Sequence, residues 1–189
     1  MQSVSFRTRV AQAIYDFLDV GKGPRLSDCI FVLAGEQGRR IHGLKMWRFG
    51  YASQVILSVG RFEWQKLSEL KLESDDGLQK LASQTPPEKK HSFVRLNHQE
   101  VSCSPIRAGT LSTHAEAKAL AEYIRKNPTR SLLVVSSPVH LRRVALSFRR
   151  ALRERDVRLT FVAVPEQMPP RSQIWSEFRR YLLYLLCHL

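Results

Sequence analysis

"SLLVVSSPVHLRRVALSFRRAL", residues 131–152, changes its apolar period in the middle. Leu132 to Val135 form an unbroken apolar, β-branched run with the length of a strand buried on both faces. From Leu141 onward, Leu141, Val144, Ala145, Phe148 and Leu152 recur at helical spacing with arginines between them, which predicts a helix laying one face on a sheet. Ser136, Ser137 and Pro138 join the two: a serine suits the helix cap and a proline the first helical position. A buried strand feeding directly into an amphipathic helix is half of a βαβ unit, and it fixes the fold class.

The same alternation extends in both directions. "SDCIFVLAG" (27–35) reads as a strand, and "RRIHGLKMWRFG" (39–50) as a helix with Ile41, Leu44, Met46 or Trp47 and Phe49 on its apolar face and Gly50 as its stop. "SQVILSVG" (53–60) is a second strand. "EWQKLSELKLESDDGLQKLASQ" (63–84) is mainly helical until the prolines of "TPPEKK" end it. "HSFVRL" (91–96) is a weaker third strand, and the polar stretch from Asn97 to Gly109 predicts a loop that covers a site. "STHAEAKALAEYIRKN" (112–127) is a capped helix with Ala117, Leu120, Ala121 and Ile124 inward; "VRLTFVAV" (157–164) and a C-terminal helix follow the opening stretch. Strands alternating with helices predict a Rossmann-like three-layer α/β/α sandwich with a mainly parallel sheet of about five strands. Residues 1–26 supply an N-terminal helix and lead-in, and residues 27–189 the α/β domain.

Composition narrows the partners. The 189 residues are 43% hydrophobic and 25% charged, an ordinary globular balance, but 30 Lys and Arg against 17 Asp and Glu give a net charge of +13. Such an excess favours anionic small molecules and anionic membrane surfaces. Nucleic acid is disfavoured, because the arginines are spread over helix faces such as "SFRRALRER" and no nucleic-acid motif accompanies them. Cys29, Cys103 and Cys187 are odd in number and widely spaced, which excludes a disulfide scaffold and predicts no metal site. The N-terminal stretch lacks the apolar core of a signal peptide and no stretch is long enough to span a bilayer, so the expected location is cytoplasmic, with peripheral contact at the inner face of the membrane through the apolar C-terminal "YLLYLLCHL".

In a parallel sheet, ligands bind beyond the carboxyl ends of the strands, near a switch in strand order. The strand ends here bring together Gly35, Gly38 and Arg39; Ser58, Gly60 and Glu63; and Ser136, Ser137, His140 and Arg143. Gly35 and Gly38 permit close backbone approach, and Arg39 offers a bidentate contact to a phosphate or carboxylate. His140 is the acid/base candidate, and Arg143 lies one turn further along the same flank. Thr113 with Glu116 fits a capping box, and both residues also adjoin the crevice.

These segments together, and "VVSSPVHLRRVALSF" above all, resemble the YdcF-like family, the domain of unknown function 218, which includes SanA-like and ElyC-like bacterial envelope proteins. The resemblance runs from about Val20 to the C-terminus. It implies a Rossmann-like domain with its pocket at the strand ends, a ligand of nucleotide or S-adenosylmethionine type, and a role connected with the cell envelope. It assigns ligand contacts to Gly35, Arg39, Ser58, Gly60, Thr113, Ser136, His140 and Arg143, and an acidic role to Glu63 or Glu116. The chain departs from the family in having Ala115-Glu116 where Glu-Asn is usual and Ser136 where threonine is usual. Residues and resemblance together predict a pocket for a phosphorylated or nucleotide-like molecule, with Gly35, Gly38, Arg39, Ser58, Gly60, Thr113, Ser136, Ser137 and Arg143 binding and His140, Glu63 and Glu116 as catalytic candidates. The activity expected there is that of a hydrolase or transferase. The alternative is a non-enzymatic basic module docking on a membrane surface or envelope assembly.

Overall fold

The computed structural model describes residues 6–60, 63, 91–97, 100–106 and 113–187. The expected helix over 63–84 falls outside these residues apart from Glu63. In chain order the elements are α1 (Phe6–Leu18), β1 (Ser27–Val32), α2 (Gln37–Arg48), β2 (Ala52–Val59), β3 (Ser92–Asn97), β4 (Val101–Pro105), α3 (Thr113–Lys126), β5 (Ser131–Ser136), α4 (Pro138–Ala151), β6 (Arg158–Ala163) and α5 (Arg171–Cys187). The strands form one sheet in the order β4-β3-β2-β1-β5-β6. β2, β1, β5 and β6 are mutually parallel, while β3 runs antiparallel to β2 and β4 antiparallel to β3.

Strand periodicity divides the core in two. Ile30 and Val32 of β1 point to the face covered by Leu44, Met46 and Trp47 of α2. Phe31 and Leu33 point to the other, where Ala117, Leu120 and Ile124 of α3 and Leu141, Val144 and Phe148 of α4 pack. Helices on both faces of a mainly parallel sheet make the expected three-layer sandwich. α1 and α5 add a further contact on α4, with Leu18, Val139 and Ile174 at its centre.

Two expectations are corrected. The stretch from Asn97 to Gly109 is not wholly a loop, because Val101–Pro105 pairs with β3 and brings the sheet to six strands. An antiparallel edge strand keeps one side in water, so "VSCSP" carries no apolar run to announce it. In α2, Ile41 and Phe49 are exposed, and the buried stripe is Arg40, Gly43, Leu44 and Trp47. Gly43 explains the shift: a Cβ there would lie 2.3 Å from Val32 Cγ2, so the helix rests on β1 at a distance only glycine permits.

Candidate functional site

Strand order reverses between β1 and β5: the chain moves from β1 to β2 on one side and returns to β5 on the other. Beyond their carboxyl ends lies a crevice of about 540 Å³. Gly35, Arg39, Glu63, Thr113, Glu116, Ser136, His140 and Arg143, all expected at a site, line it, and Arg180 and Tyr184 of α5 close its wall. Gly38, Ser58, Gly60 and Ser137 are not on the wall. Gly38 sits in the first turn of α2, and the other three are engaged within the protein as follows.

Gly35 turns the chain out of β1 with φ 122°, a conformation that suits glycine, and a Cβ there would meet Arg39 Nη1 at 2.9 Å. Arg39 is buried and ties the two switch-point loops together: Nη1 donates to the Ala34 carbonyl at 2.8 Å and Nε to Ser137 Oγ at 2.9 Å. Burial lowers its pKa, and the carboxylates of Glu36, Glu116 and Glu166 oppose that shift. Arg39 is therefore a loop clamp as well as a wall residue. Ser137, expected as a side-chain cap, instead accepts from Arg39 and donates to Glu36 Oε2 at 3.4 Å. The starts of α2 and α4, with Glu36 and Ser137 at their N-caps, carry no side-chain cap bond. Both helices begin beside the crevice, and their first turns close on themselves: the Arg39 N–H donates to the Glu36 carbonyl at 3.2 Å, the His140 N–H donates to the Ser137 carbonyl at 3.0 Å, and Pro138 has no N–H to offer.

The far wall is a network centred on Glu177, which is 2% exposed. Its Oε2 lies 2.7 Å from His140 Nδ1 and accepts from Arg143 Nη2 at 3.0 Å, while Oε1 accepts from Arg180 Nη1 at 2.6 Å. Burial alone would raise the Glu177 carboxyl, but the hydrogen bonds and charges of His140 and Arg143 outweigh it and hold the pKa down to about 2. An ionised Glu177 holds a proton on Nδ1, which leaves Nε2 as the ring nitrogen that Glu177 does not engage. Arg143 Nη1 also donates to Thr113 Oγ1 at 2.6 Å, linking α4 to α3.

The near wall holds two further carboxyls in different states of engagement. Glu63 is spent on structure: it pairs with the fully buried Arg40 and accepts the Gly60 N–H at 3.1 Å. The Glu116 side chain reaches across to the segment just past β1, where Oε1 accepts the Ala34 N–H at 3.0 Å. Burial pushes the Glu116 carboxyl above its ordinary range, opposed by the Ser58 hydroxyl, the Ala34 amide and Arg39. Behind it, Ser58 Oγ is 2.7 Å from Nε2 of His91, a buried ring whose pKa desolvation lowers to about 4. Neutral His91 and Ser58 are hydrogen-bonded to each other beneath the crevice floor, next to Glu116.

Sequence reasoning passed over Glu177, Arg180, Tyr184 and His91. Glu177 left one signal: it is the only acid in "IWSEFRRYLLYLL" and falls three residues after Ile174, on the side that packs inward. Among the described residues, no group of three or more His, Cys, Asp or Glu is arranged to hold a metal ion, and no helix is long and apolar enough to cross a membrane. No family model matches the chain, and no curated protein or solved structure shows significant similarity to it.

Proposed function

We propose that this chain is a YdcF-like α/β domain whose crevice binds a phosphorylated or nucleotide-like small molecule and acts on it as a hydrolase or transferase. The observation that carries the proposal is the convergence of Arg39, His140, Arg143 and Arg180 on one crevice at the point where strand order reverses. A phosphate in the crevice is neutralised by Arg143 and Arg180. His140, held through Nδ1 by Glu177, takes the proton of an attacking water or hydroxyl at Nε2 as the new O–P bond forms. Glu116, raised by burial, supplies a proton to the departing oxygen as the old O–P bond breaks. The family resemblance adds an envelope-related role to this proposal.

The test is a thermal-shift screen of the full chain against nucleotides, sugar phosphates, isoprenyl phosphates and S-adenosylmethionine at two salt concentrations. At least one phosphate compound should raise the melting temperature, and His140→Gln should reduce the shift while leaving the unliganded protein folded. A flat response across the panel, or the same shift in His140→Gln, overturns the proposal.

A further inference from the structure

The outer face of α5 carries apolar side chains that the described residues leave exposed. Trp175 is 43% exposed, Leu182 41%, Leu183 58% and Leu186 71%. At 100° per residue these four, with Arg171 and Arg179, fall within an arc of about 120° on the helix. Arg171 and Arg179 are exposed as well. Glu177, Arg180 and Tyr184 occupy the opposite side, toward the crevice. One helix thus presents its inner side to the candidate site and an amphipathic stripe to solvent, with basic residues and tryptophan in its first half and leucines in its second.

We propose that this stripe docks on an anionic lipid bilayer, with Leu182, Leu183 and Leu186 entering the interfacial region and Arg179 meeting lipid phosphates, while Arg171 at the head of the stripe donates to Thr8 Oγ1 of α1. Leucines beside tryptophan and arginine are the composition of an interfacial helix, whose apolar side sits at the acyl boundary while long cationic side chains reach the headgroups. Charge selects the occupant. A second copy of the chain brings +13 against +13, whereas an anionic surface complements it. A groove between α4 and Tyr181 of α5 adds positive charge to this part of the molecule: Arg142, Arg149, Arg150 and Arg153 line it. Docking by the stripe leaves the crevice unobstructed, so this inference stands whether or not the crevice binds phosphate compounds.

The experiment is co-sedimentation of the full chain with vesicles of equimolar phosphatidylglycerol and phosphatidylcholine and with vesicles of phosphatidylcholine alone. Tryptophan emission is followed in the wild type and in Trp175→Phe to isolate the Trp175 signal. Binding should be confined to the anionic vesicles, weaken as salt rises, and shift Trp175 emission to the blue. The double variant Leu183→Glu, Leu186→Glu should bind on the order of tenfold or more weakly while melting as the wild type does. Leu183→Ser serves as a milder variant with a smaller loss in the same direction. Undiminished binding by the double variant overturns the proposal, since charge alone would then suffice. So does failure of the wild type to bind anionic vesicles, or a wild-type dimer that Leu183→Glu dissociates.

Discussion

Replacing Glu177 with glutamine removes the carboxylate that His140, Arg143 and Arg180 share, while keeping the side chain's size. Its pKa lies at about 2 in the folded chain against an ordinary 4.5. Each pKa unit corresponds to about 1.4 kcal/mol, so the ionised carboxylate contributes ~3 kcal/mol of stability near neutral pH. The sign follows from the depressed value. The contribution is complete above the unfolded value of 4.5 and is lost as pH falls toward the folded value of about 2. Glu177→Gln should therefore melt roughly 6–12 °C below the wild type at about pH 7, and the stability gap should shrink to about 1 kcal/mol near pH 3. Paired thermal or urea unfolding curves at the two pH values read both quantities. A variant as stable as the wild type at neutral pH, or a gap of unchanged size in acid, would refute the electrostatic basis of the network.

Gly43→Ala should destabilise the fold by roughly 1–2 kcal/mol in chemical denaturation, since the overlap with Val32 outweighs alanine's better helix propensity of about 1 kcal/mol; equal or greater stability would contradict the close seating of α2 on β1. Ser58→Ala removes a donor that favours the ionised form of Glu116, so the Glu116 titration, followed by carboxyl carbon NMR, should move to higher pH; no movement, or movement downward, would break the link from Ser58 to the crevice. The Cys29 thiol is buried and raised well above its ordinary value by desolvation, so a thiol reagent should modify Cys103 much faster than Cys29 in the native protein; equal rates would refute this packing.

The fold was legible because buried parallel strands carry their own signature. Leu132–Val135 and Ile30–Val32 are apolar on both faces, and each feeds a helix. β4 escaped because an exposed antiparallel edge needs no such run. Gly35, Arg39, His140 and Arg143 were legible from topology alone, since each lies just past the end of β1 or β5. The chemistry of their neighbours was not. Ser137 and the pair Thr113 and Glu116 read locally as caps, yet tertiary partners take all three: Arg39, Arg143 and Ala34, respectively. Arg39 read as a free anion contact, whereas its geometry makes it a clamp whose removal would loosen both loops. Glu177 lies 37 residues beyond His140 in sequence, and only the docking of α5 on α4 brings them together.

The most direct measurement is calorimetric titration of the phosphate compound giving the largest thermal shift into the wild type, Arg180→Ala and His140→Gln. Arg180 is suited to this because its side chain is 60% exposed at the rim, so its loss should leave the fold intact. Loss of one charge-assisted contact corresponds to ~10–100-fold in affinity; Arg180→Ala should bind more weakly by about that factor, and His140→Gln should bind more weakly than the wild type. Wild-type affinity in both variants would place the ligand somewhere other than this crevice.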